Sequence, residues 1–354
     1  VTGSSGFIGR HLVRELLKRN EQVAILIRSV NGVSAQERAR GIFGSPPNLH
    51  VMQGDILLPG LGLSKNDARQ VTESTCIIWH LAADLSFSPR KSTVAQQTNV
   101  EGTTNVVAFA NTHATRLVHM STAYVCGDHT EFSEEELESG QYFHNHYSSS
   151  KYAAERTVRM QSAIPTLVIR PSIVIGDAYE GKAEGCTFGY YRFAFMLHVF
   201  TSWIRSILLQ RGVAGWFLRA LGTELRQEGT VVYAPWVVLP YPLNGVVDLV
   251  SVDYVVEAAL ALIAREDAWG ARTFHFTQEK PLDSLFVMQS AMEDLGMSGA
   301  RYIRVSPAVF TGILWIVYAL LFPLRSYVKS VFWYIPYVVQ PYHFDQKHAR
   351  AFEV

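Results

Sequence analysis

The sequence of 354 residues predicts an α/β fold, in which a doubly wound parallel sheet is followed by a smaller, apolar, mainly helical C-terminal lobe. Up to about Gly176, short apolar strand-like segments alternate with helix-like segments, which is the pattern of a parallel sheet with helices on both faces. After Gly176 the chain becomes richer in aromatic and large aliphatic residues. This change in composition predicts a separate lobe.

The strand-like segments are short, largely apolar and rich in β-branched or aromatic residues. Residues 1–3 match the last step of a strand, so we expect the beginning of that strand to lie before the printed sequence. The first helix is predicted over residues 7–19, where Ile8, Leu12 and Leu16 share one face. Further strands are predicted at residues 22–27, 49–53, 75–80, 116–120 and 166–169.

The second half contains two apolar segments that we expect to be helical, within residues 185–223 and 305–340. Between them, residues 245–250 predict a strand and the following helix is expected to be capped by Asp253. We therefore divide the chain into a core domain of residues 1–176 and a substrate lobe of residues 177–354, which interleaves with the core around 245–276.

Residues 185–223 contain no acidic side chain. A basic, aromatic segment of this kind predicts an apolar wall, whereas helical spacing of its large residues also fits an ordinary core. The residues that fit a core are Trp203, Ile204, Ile207 and Leu208. The wall would be formed by Phe188, Tyr190, Phe195, Trp203, Trp216 and Phe217, accompanied by Arg192, Arg205, Arg211 and Arg219.

Composition excludes several kinds of partner. Lysine plus arginine and aspartate plus glutamate both number 31, so no net positive charge attracts nucleic acid. The three cysteines, Cys76, Cys126 and Cys186, form no closely spaced pair, which argues against a metal site or a disulfide framework. We expect a reducing, cytoplasmic setting. The sequence predicts no particular oligomeric state.

A glycine-rich segment, residues 2–9, lies between the first strand and the first helix. In a Rossmann-like fold this turn meets a dinucleotide pyrophosphate at the helix N-terminus. Gly3 would allow the tight turn, Gly6 the approach of the phosphates and Gly9 the packing of helix on strand. The alternative is a simple strand-to-helix turn.

The end of the second strand predicts the cofactor. That strand leads into Arg28, and no acidic residue occurs between Glu21 and Glu37. Sites for NADP place an arginine here, whereas sites for NAD commonly place an acid. NADPH is therefore predicted in preference to NADH, the alternative being a solvated surface arginine.

Two further segments carry side chains suited to proton transfer. Tyr147 and Lys151 are four residues apart in a predicted helix, so the phenol and the ammonium share one face. A nearby cation favours the phenolate and makes tyrosine a better acid at neutral pH. Ser121 and Thr122 follow the strand that ends at residue 120, where ligands bind to parallel sheets. We interpret Thr122, Tyr147 and Lys151 as a catalytic group.

In order and spacing, these segments resemble those of extended short-chain dehydrogenases. The matching motifs are TGSSGFIG at residues 2–9, GDI at 54–56, HLAA at 80–83, Asn99 with GT at 102–103, STAYVCG at 121–127, YSSSK at 147–151, RPSIVIG at 170–176 and DLVSVD at 248–253.

The resemblance implies a role for each matching position. Asp55 and Ile56 would border the adenine, residues 80–83 would line the path of the ribose and nicotinamide, and Pro171 with Ser172 would lie beside the nicotinamide. Taken singly, Asp55 also fits a turn residue and His80 a core histidine. With the glycine loop, the expected cofactor-binding residues are Gly3, Ser5, Gly6, Phe7, Ile8, Gly9, Arg28, Asp55, Ile56, His80, Leu81, Ala82, Ala83, Asn99, Tyr147, Lys151, Pro171 and Ser172.

Within that superfamily, residues 54–64, 77–88, 98–103 and 118–125 are similar to fatty acyl-CoA reductases and to carrier-protein thioester reductase domains, the male sterility type. The resemblance implies NADPH-dependent reduction of an acyl thioester to an aldehyde or alcohol. The alternatives are a sterol or hydroxy-lipid dehydrogenase, a nucleotide-sugar epimerase or dehydratase, and a non-catalytic NADPH-binding protein.

The uncharged segment 305–324 bears on membrane association. Pro307 and Pro323 bracket about 15 residues, which reach roughly 22 Å as a helix and fall short of the ~30 Å hydrocarbon core. The segment therefore predicts a peripheral membrane contact or a lid rather than a transmembrane span.

Overall fold

The computed structural model describes residues 1–73, 76–184, 186, 188–210, 212–270, 272–320 and 332–354. They form two compact units. The first comprises Val1–Cys186, Leu249–Glu279 and His343–Val354, and the second comprises Thr187–Asp248 and Lys280–Tyr342. The sequence analysis placed the boundary at residue 176 and assigned residues 343–354 to the second lobe, whereas in the structure that segment belongs to the first unit.

Three helices of the first unit begin at polar side-chain caps. Ser34 and Glu37 form a capping box, and Asn145 accepts the N–H of Ser148 at the start of the helix that carries Tyr147. The helices of this unit up to residue 161 are α1 (Phe7–Lys18), α2 (Ala35–Phe43), α3 (Lys65–Thr72), α4 (Ser92–Gln96), α5 (Gly102–His113) and α6 (His146–Gln161). Of these, α2, α3 and α6 carry the caps.

A parallel sheet forms the centre of the first unit. Its strands are β1 (Val23–Ile27), β2 (Leu49–Gln53), β3 (Ile77–His80), β4 (Arg116–Met120), β6 (Thr166–Pro171) and β13 (Arg272–Phe276), with the short β5 (Glu131–Phe132) and β7 (Ile173–Ile175) outside it. Thr2 bridges Leu26 of β1 and His80 of β3. The order across the sheet is therefore β2, β1, Thr2, β3, β4, β6, β13.

The second unit contains helices and short strands. Its helices are α7 (Tyr190–Leu209), α8 (Val213–Ala220), α10 (Ser284–Asp294), α11 (Pro307–Leu320) and α12 (Ile335–Val339). Its strands are β8 (Glu224–Arg226), β9 (Val231–Tyr233), β10 (Val238–Pro242), β11 (Val246–Val247), β14 (Leu282–Asp283), β15 (Met297–Ser298) and β16 (Arg301–Val305). The first unit is completed by β12 (Leu249–Ser251), α9 (Val252–Ile263), β17 (His343–Phe344) and α13 (Lys347–Ala351).

The predicted α/β fold is confirmed, with local corrections. The strand predicted at 245–250 is two strands, because β11 pairs with β14 and β12 pairs with β7. Asp253 does not cap α9: the helix begins one residue earlier, and the Asp253 carboxylate accepts the N–H of Ala178. Thr75, Gly185, Thr187, Arg211 and residues 321–331, including Pro323, lie outside the described residues.

The core of the first unit also takes in the end of the printed sequence. β17 pairs with β5, and the phenyl ring of Phe352 meets that of Phe274 edge-on at 5.5 Å. The buried Glu134 carboxylate accepts the backbone N–H groups of His348 and Ala349 at the start of α13. Residues 343–354 are thus a structural part of the sheet domain.

Helix α7 of the second unit has a buried and an exposed side. Ile204 and Leu208 are buried against β9 and α10, as an ordinary core predicts, whereas Trp203 on the same helix is 38% exposed. Within the described residues no single helix is both long and apolar enough to cross a bilayer; α7 and α8, which meet at 107°, reach that length and composition only as a pair.

Candidate active site

The sequence-predicted residues gather at one edge of the parallel sheet. Arg28 follows β1, Asp55 follows β2, Leu81 follows β3, Thr122 follows β4 and Ser172 follows β6. All of these strands run in the same direction, so their carboxyl ends lie along the edge where parallel sheets bind ligands.

The glycine loop has a backbone that only glycine fits at two positions. Gly3 has φ +73°, and a Cβ there would lie 2.6 Å from the carbonyl carbon of Leu81. A Cβ at Gly9 would lie 2.9 Å from both Gly3 C and Ser4 Cα. Gly9 therefore packs against the glycine loop itself. The predicted packing against a strand is wrong.

The N-terminus of α1 fits a pyrophosphate. The helix begins after Gly6, no side chain caps it, and its first turn contains no acidic residue. A Cβ at Gly6 would have Gly3 O, at 3.2 Å, as its nearest contact. The amides of Phe7, Ile8 and Gly9 thus meet the requirements of an anion site at the end of a 12-residue helix. The carbonyl of Ser5 accepts a hydrogen bond from Arg10 Nε at 2.9 Å.

The ends of β1 and β2 carry a cluster of charged groups. Arg28 is exposed, and its Nη1 lies 3.5 Å from Asp55 Oδ2, a weak contact. Arg38 on α2 donates a hydrogen bond to the carbonyl of Arg28.

Asp55 also accepts the N–H of Leu57 at 3.0 Å, so it is a turn residue as well as a neighbour of Arg28. Ile56 is buried, and its carbonyl accepts Asn105 Nδ2. Arg38 was missed because nothing in its local sequence distinguishes it from a surface arginine.

The imidazole of His80 lies in the core. It is 1% exposed, with Nδ1 2.8 Å from Thr2 Oγ1 and Nε2 2.9 Å from Thr103 Oγ1. Burial, with a contribution from the charge of Lys151, lowers its pKa to about 3. The neutral His80 side chain thus joins Thr2, between β1 and β3 in the sheet, to Thr103 of α5. Leu81, Ala82 and Ala83 follow it half-buried, and Ala82 packs against Gly3.

Asn99 joins two segments of the site. Its Oδ1 accepts the N–H of Asp84 at 2.7 Å, while its Nδ2 donates to Asp84 O and to Ser150 Oγ. Ser150 belongs to α6, between Tyr147 and Lys151. Asn99 therefore ties the loop after β3 to the catalytic helix and is itself only 1% exposed.

Tyr147 and Lys151 lie one turn apart on α6, as predicted. The ring of Tyr147 is half-buried and 5.4 Å from that of Phe87. Lys151 is 3% exposed, and its Nζ donates a 2.6 Å hydrogen bond to Met120 O, the last residue of β4. Burial lowers the pKa of Lys151 to about 8, although the charge of Glu155 opposes the shift.

Thr122 stands two residues beyond that carbonyl. It is 4% exposed, and its Oγ1 lies 3.4 Å from Pro171 O and from the N–H of Tyr124. Pro171 ends β6, and Ser172 donates its N–H to Phe276 O. The structure thus brings Thr122, Lys151 and the end of β6 to the same strand ends, while the helix places Tyr147 one turn before Lys151.

Sequence reasoning missed a buried ion pair behind this group. Glu155, one turn after Lys151, accepts Arg170 Nη2 at 2.7 Å and Nε at 3.0 Å, and both side chains are fully buried. Ser121 Oγ donates to the same carboxylate at 2.6 Å. Burial raises the pKa of Glu155, but Arg170, Arg159 and Ser121 together lower it below the ordinary value. The four-residue spacing of Tyr147, Lys151 and Glu155 was the available signal.

The arrangement offers a phenol, a buried ammonium and a hydroxyl at the strand ends, with a helix N-terminus suited to phosphate. These are the groups that carbonyl reduction by a nicotinamide needs for proton supply and oxyanion stabilisation. In the described part of the chain no group of three or more His, Cys, Asp or Glu side chains is placed to hold a metal ion.

Known proteins match about half of this chain. A nonribosomal peptide synthetase, asaC of Aspergillus flavus, is 29% identical over 208 aligned residues, and the match covers 52% of this chain and 20% of the synthetase. Fatty acyl-CoA reductase wat of Drosophila melanogaster is 27% identical over 219 aligned residues, and the match covers 49% of this chain and 42% of the reductase. The chain thus spans less than half the length of either relative.

A solved structure matches nearly the whole chain. It is the terminal R domain from the myxalamid PKS-NRPS biosynthetic pathway, with a TM-score of 0.73, 22% identity, and coverage of 99% of this chain and 83% of that one. At this identity the likeness shows the fold. A family model described as "Male sterility protein" matches residues 1–259, from the glycine loop through Tyr147 and Lys151 to α9. The chain therefore belongs to the male sterility protein family, a group of NAD-binding oxidoreductases of the extended short-chain dehydrogenase type.

Proposed function

We propose that this chain uses NADPH to reduce an acyl thioester, carried on coenzyme A or on a carrier protein, to an aldehyde or alcohol. The observation that carries this proposal is the hydrogen bond from the Lys151 ammonium to the carbonyl of Met120, at the end of β4, two residues before Thr122. Tyr147 lies one helical turn before Lys151. The choice of a thioester is supported by relatives whose names are fatty acyl-CoA reductase and nonribosomal peptide synthetase.

Bound with its pyrophosphate at the glycine loop, NADPH would supply the hydride that reduces the thioester carbonyl. The hydroxyls of Thr122 and Tyr147 donate hydrogen bonds to the oxygen as negative charge develops there, and Tyr147 transfers its proton to that oxygen. The hydroxyl proton of the resulting hemithioacetal then returns to the Tyr147 phenolate as its C–S bond breaks, which gives an aldehyde and a thiolate. The thiolate takes a proton from solvent. Lys151 stabilises the Tyr147 phenolate and would hold the ribose of the bound cofactor.

The charge of Lys151 gives this chemistry an alkaline limit. Since burial lowers the pKa of Lys151 to about 8, the ammonium is present below that pH and is lost above it. Turnover that depends on the charged lysine is therefore expected to decline as pH rises through 8.

The preference for NADPH is supported by Arg28 and Arg38. Arg28 is exposed and only weakly bound to Asp55, so it is free to pair with a ribose 2′-phosphate, and Arg38 contacts its carbonyl. Arg28→Ala is expected to raise the dissociation constant of NADPH at least tenfold and that of NADH much less. Equal effects on the two cofactors, measured by fluorescence titration, would contradict the preference.

Tyr147→Phe tests the reaction. We expect loss of most turnover with acyl-CoA thioesters, followed by NADPH absorbance, and unchanged NADPH binding. Tyr142→Phe is the matched control, because Tyr142 is 67% exposed. Full activity in Tyr147→Phe refutes the catalytic group. Saturable turnover only with sterols or sugar nucleotides, and none with acyl thioesters, refutes the substrate class.

We also propose a peripheral contact of the second unit with the cytoplasmic face of an anionic membrane. It is supported by the exposure of Val213 (85%), Trp216 (68%) and Phe217 (56%) on α8 and by the absence of acidic residues in 190–223. Such a contact would bring the enzyme to lipid-like acyl substrates. The three free cysteines fit a reducing compartment.

Sedimentation with phosphatidylserine-containing vesicles tests this contact. The double variant Trp216→Ser, Phe217→Ser is expected to lose binding, whereas Phe286→Ser, which removes an equally exposed aromatic from α10, is expected to keep it. Equal vesicle binding by the double variant and by the parent protein would refute the membrane contact.

A further inference from the structure

A layer of buried polar side chains lies in the first unit beside the catalytic helix. Its members are Thr2, His80, Thr103, His119 and Lys151, none more than 4% exposed. We call this set the polar layer. Polar groups so deeply buried normally have hydrogen-bond partners, so each member that lacks one calls for an explanation.

Two histidines of the polar layer lie side by side. In the register of β3 and β4, His80 is opposite His119, and their ring centroids are 5.3 Å apart. Ile78 and Leu117, two residues earlier on the same strands, pack against α5 and α6. Because side chains alternate along a strand, His80 and His119 point to that same helical side of the sheet, where Lys151 of α6 lies.

The two histidines differ in their hydrogen bonds. Both ring nitrogens of His80 have hydroxyl partners, as described above. His119 is 0% exposed, and within the described part of the chain neither of its ring nitrogens has a partner. A neutral imidazole carries one donor and one acceptor. A buried water is the usual partner for such groups.

Lys151 is close enough to His119 for its charge to act on the imidazole. Its Nζ donates to the carbonyl of Met120, the residue next to His119, and an ammonium has three N–H donors. We propose that His119 is a positioning residue for Lys151: through one buried water, its imidazole accepts a hydrogen bond from the Lys151 ammonium and holds it at the end of β4. The role rests on the proposed function, since it serves the catalytic lysine.

The groups around Lys151 decide whether replacing His119 raises or lowers the pKa of the lysine. Glu155 and Tyr147 flank Lys151 on α6, and His80 and His119 face it from the sheet. Glu155 is shared with Arg170, Arg159 and Ser121. Burial, followed by the charge of Lys151, lowers the pKa of His119 well below its ordinary value, so the imidazole is neutral at pH 7 and accepts a hydrogen bond without repelling the ammonium. Removing this acceptor should make the lysine lose its proton more readily.

The test compares His119→Leu, which removes both nitrogens, with His119→Gln, which keeps a donor and an acceptor. The structural control is Val118→Ala, on the opposite face of the same strand and equally buried. Two pH profiles are measured for each variant, one of kcat with an acyl-CoA and one of the dissociation constant of NADPH. Unfolding temperatures are recorded in parallel, and His119→Phe replaces the leucine variant if that variant does not fold.

In His119→Leu we expect the alkaline limb of both profiles to move to a pH about 1 lower, a tenfold increase in the proton dissociation constant of the lysine. His119→Gln and Val118→Ala should keep the parent limb. An unmoved limb in His119→Leu, or an equal move in Val118→Ala, overturns the positioning role. If the NADPH profile moves in His119→Leu alone while no thioester is reduced by the parent, the positioning role stands and the proposed substrate falls.

Discussion

Replacing Glu155 by glutamine is expected to destabilise the first unit by about 3–5 kcal/mol, the usual cost of removing one partner of a buried ion pair. Glu155 and Arg170 are both 0% exposed, so solvent does not screen their interaction. Glutamine keeps the size of the side chain but leaves the Arg170 guanidinium without a counter-charge. The remaining partners of Arg170, such as the carbonyls of Ser133 and Glu136, are neutral.

The expected loss of unfolding free energy corresponds to a measurable decrease in the unfolding temperature. The first unit holds roughly 230 residues, for which 1 kcal/mol corresponds to about 2 °C, so the variant should unfold roughly 6–10 °C below the parent. Urea denaturation followed by circular dichroism gives the free energy directly. Because the folded pKa of Glu155 lies below 4.5, the stabilisation is present above that pH and lost as pH falls through the folded value.

Two controls separate the charge from the packing. Glu138→Gln removes the partner of Arg156, an exposed pair that also involves α6, and should change stability little. The double variant Glu155→Leu, Arg170→Met removes both charges and should recover much of the loss. A Glu155→Gln protein within 1 kcal/mol of the parent would refute the reasoning.

Two other outcomes follow from the first unit. Burial, reinforced by neighbouring positive charge, lowers the pKa of His80 and that of His275 to about 3. The free energy of unfolding should therefore fall as pH drops below 6.5, by up to about 1.4 kcal/mol per pH unit for each histidine. A urea midpoint that stays constant from pH 7 to 4.5 would contradict this prediction. Gly9→Ala should weaken NADPH binding and lower the unfolding temperature, because the added Cβ overlaps the glycine loop. Gly41→Ala should do neither, because no described atom lies within 4 Å of a Cβ at that position. Equal behaviour of the two variants in NADPH titrations and thermal melts would argue against the loop geometry.

Local sequence signals predicted much of the first unit. The strands at 49–53 and 116–120 match the structure residue for residue, and α1 ends one residue before the predicted position. The glycine loop and the Tyr147–Lys151 spacing were recognisable because each is set by neighbours within one turn of helix. The placement of site residues at strand ends followed from the parallel sheet.

Contacts between distant residues were not predictable in this way. Asp253 is of a residue type that often caps helices, yet its carboxylate accepts the N–H of Ala178, 75 residues earlier in the chain. The helical spacing after Lys151 pointed to Glu155 itself, but its partners Arg170 of β6 and Ser121 after β4 are distant in the sequence, and that spacing does not predict them. Arg38 was missed for the same reason, since its approach to Arg28 depends on the return of α2 toward β1.

The position of residues 343–354 constrains how the protein is made. A ribosome releases the glycine loop, α6 and β6 long before the strand and helix that complete their domain, because the whole second unit is translated in between. Until then Glu134 lacks the amides of His348 and Ala349, and Phe274 lacks Phe352. Of the two units, the first therefore begins earlier and is completed later, and its partly folded form leaves these groups unpaired for longer than a contiguous domain of equal size would.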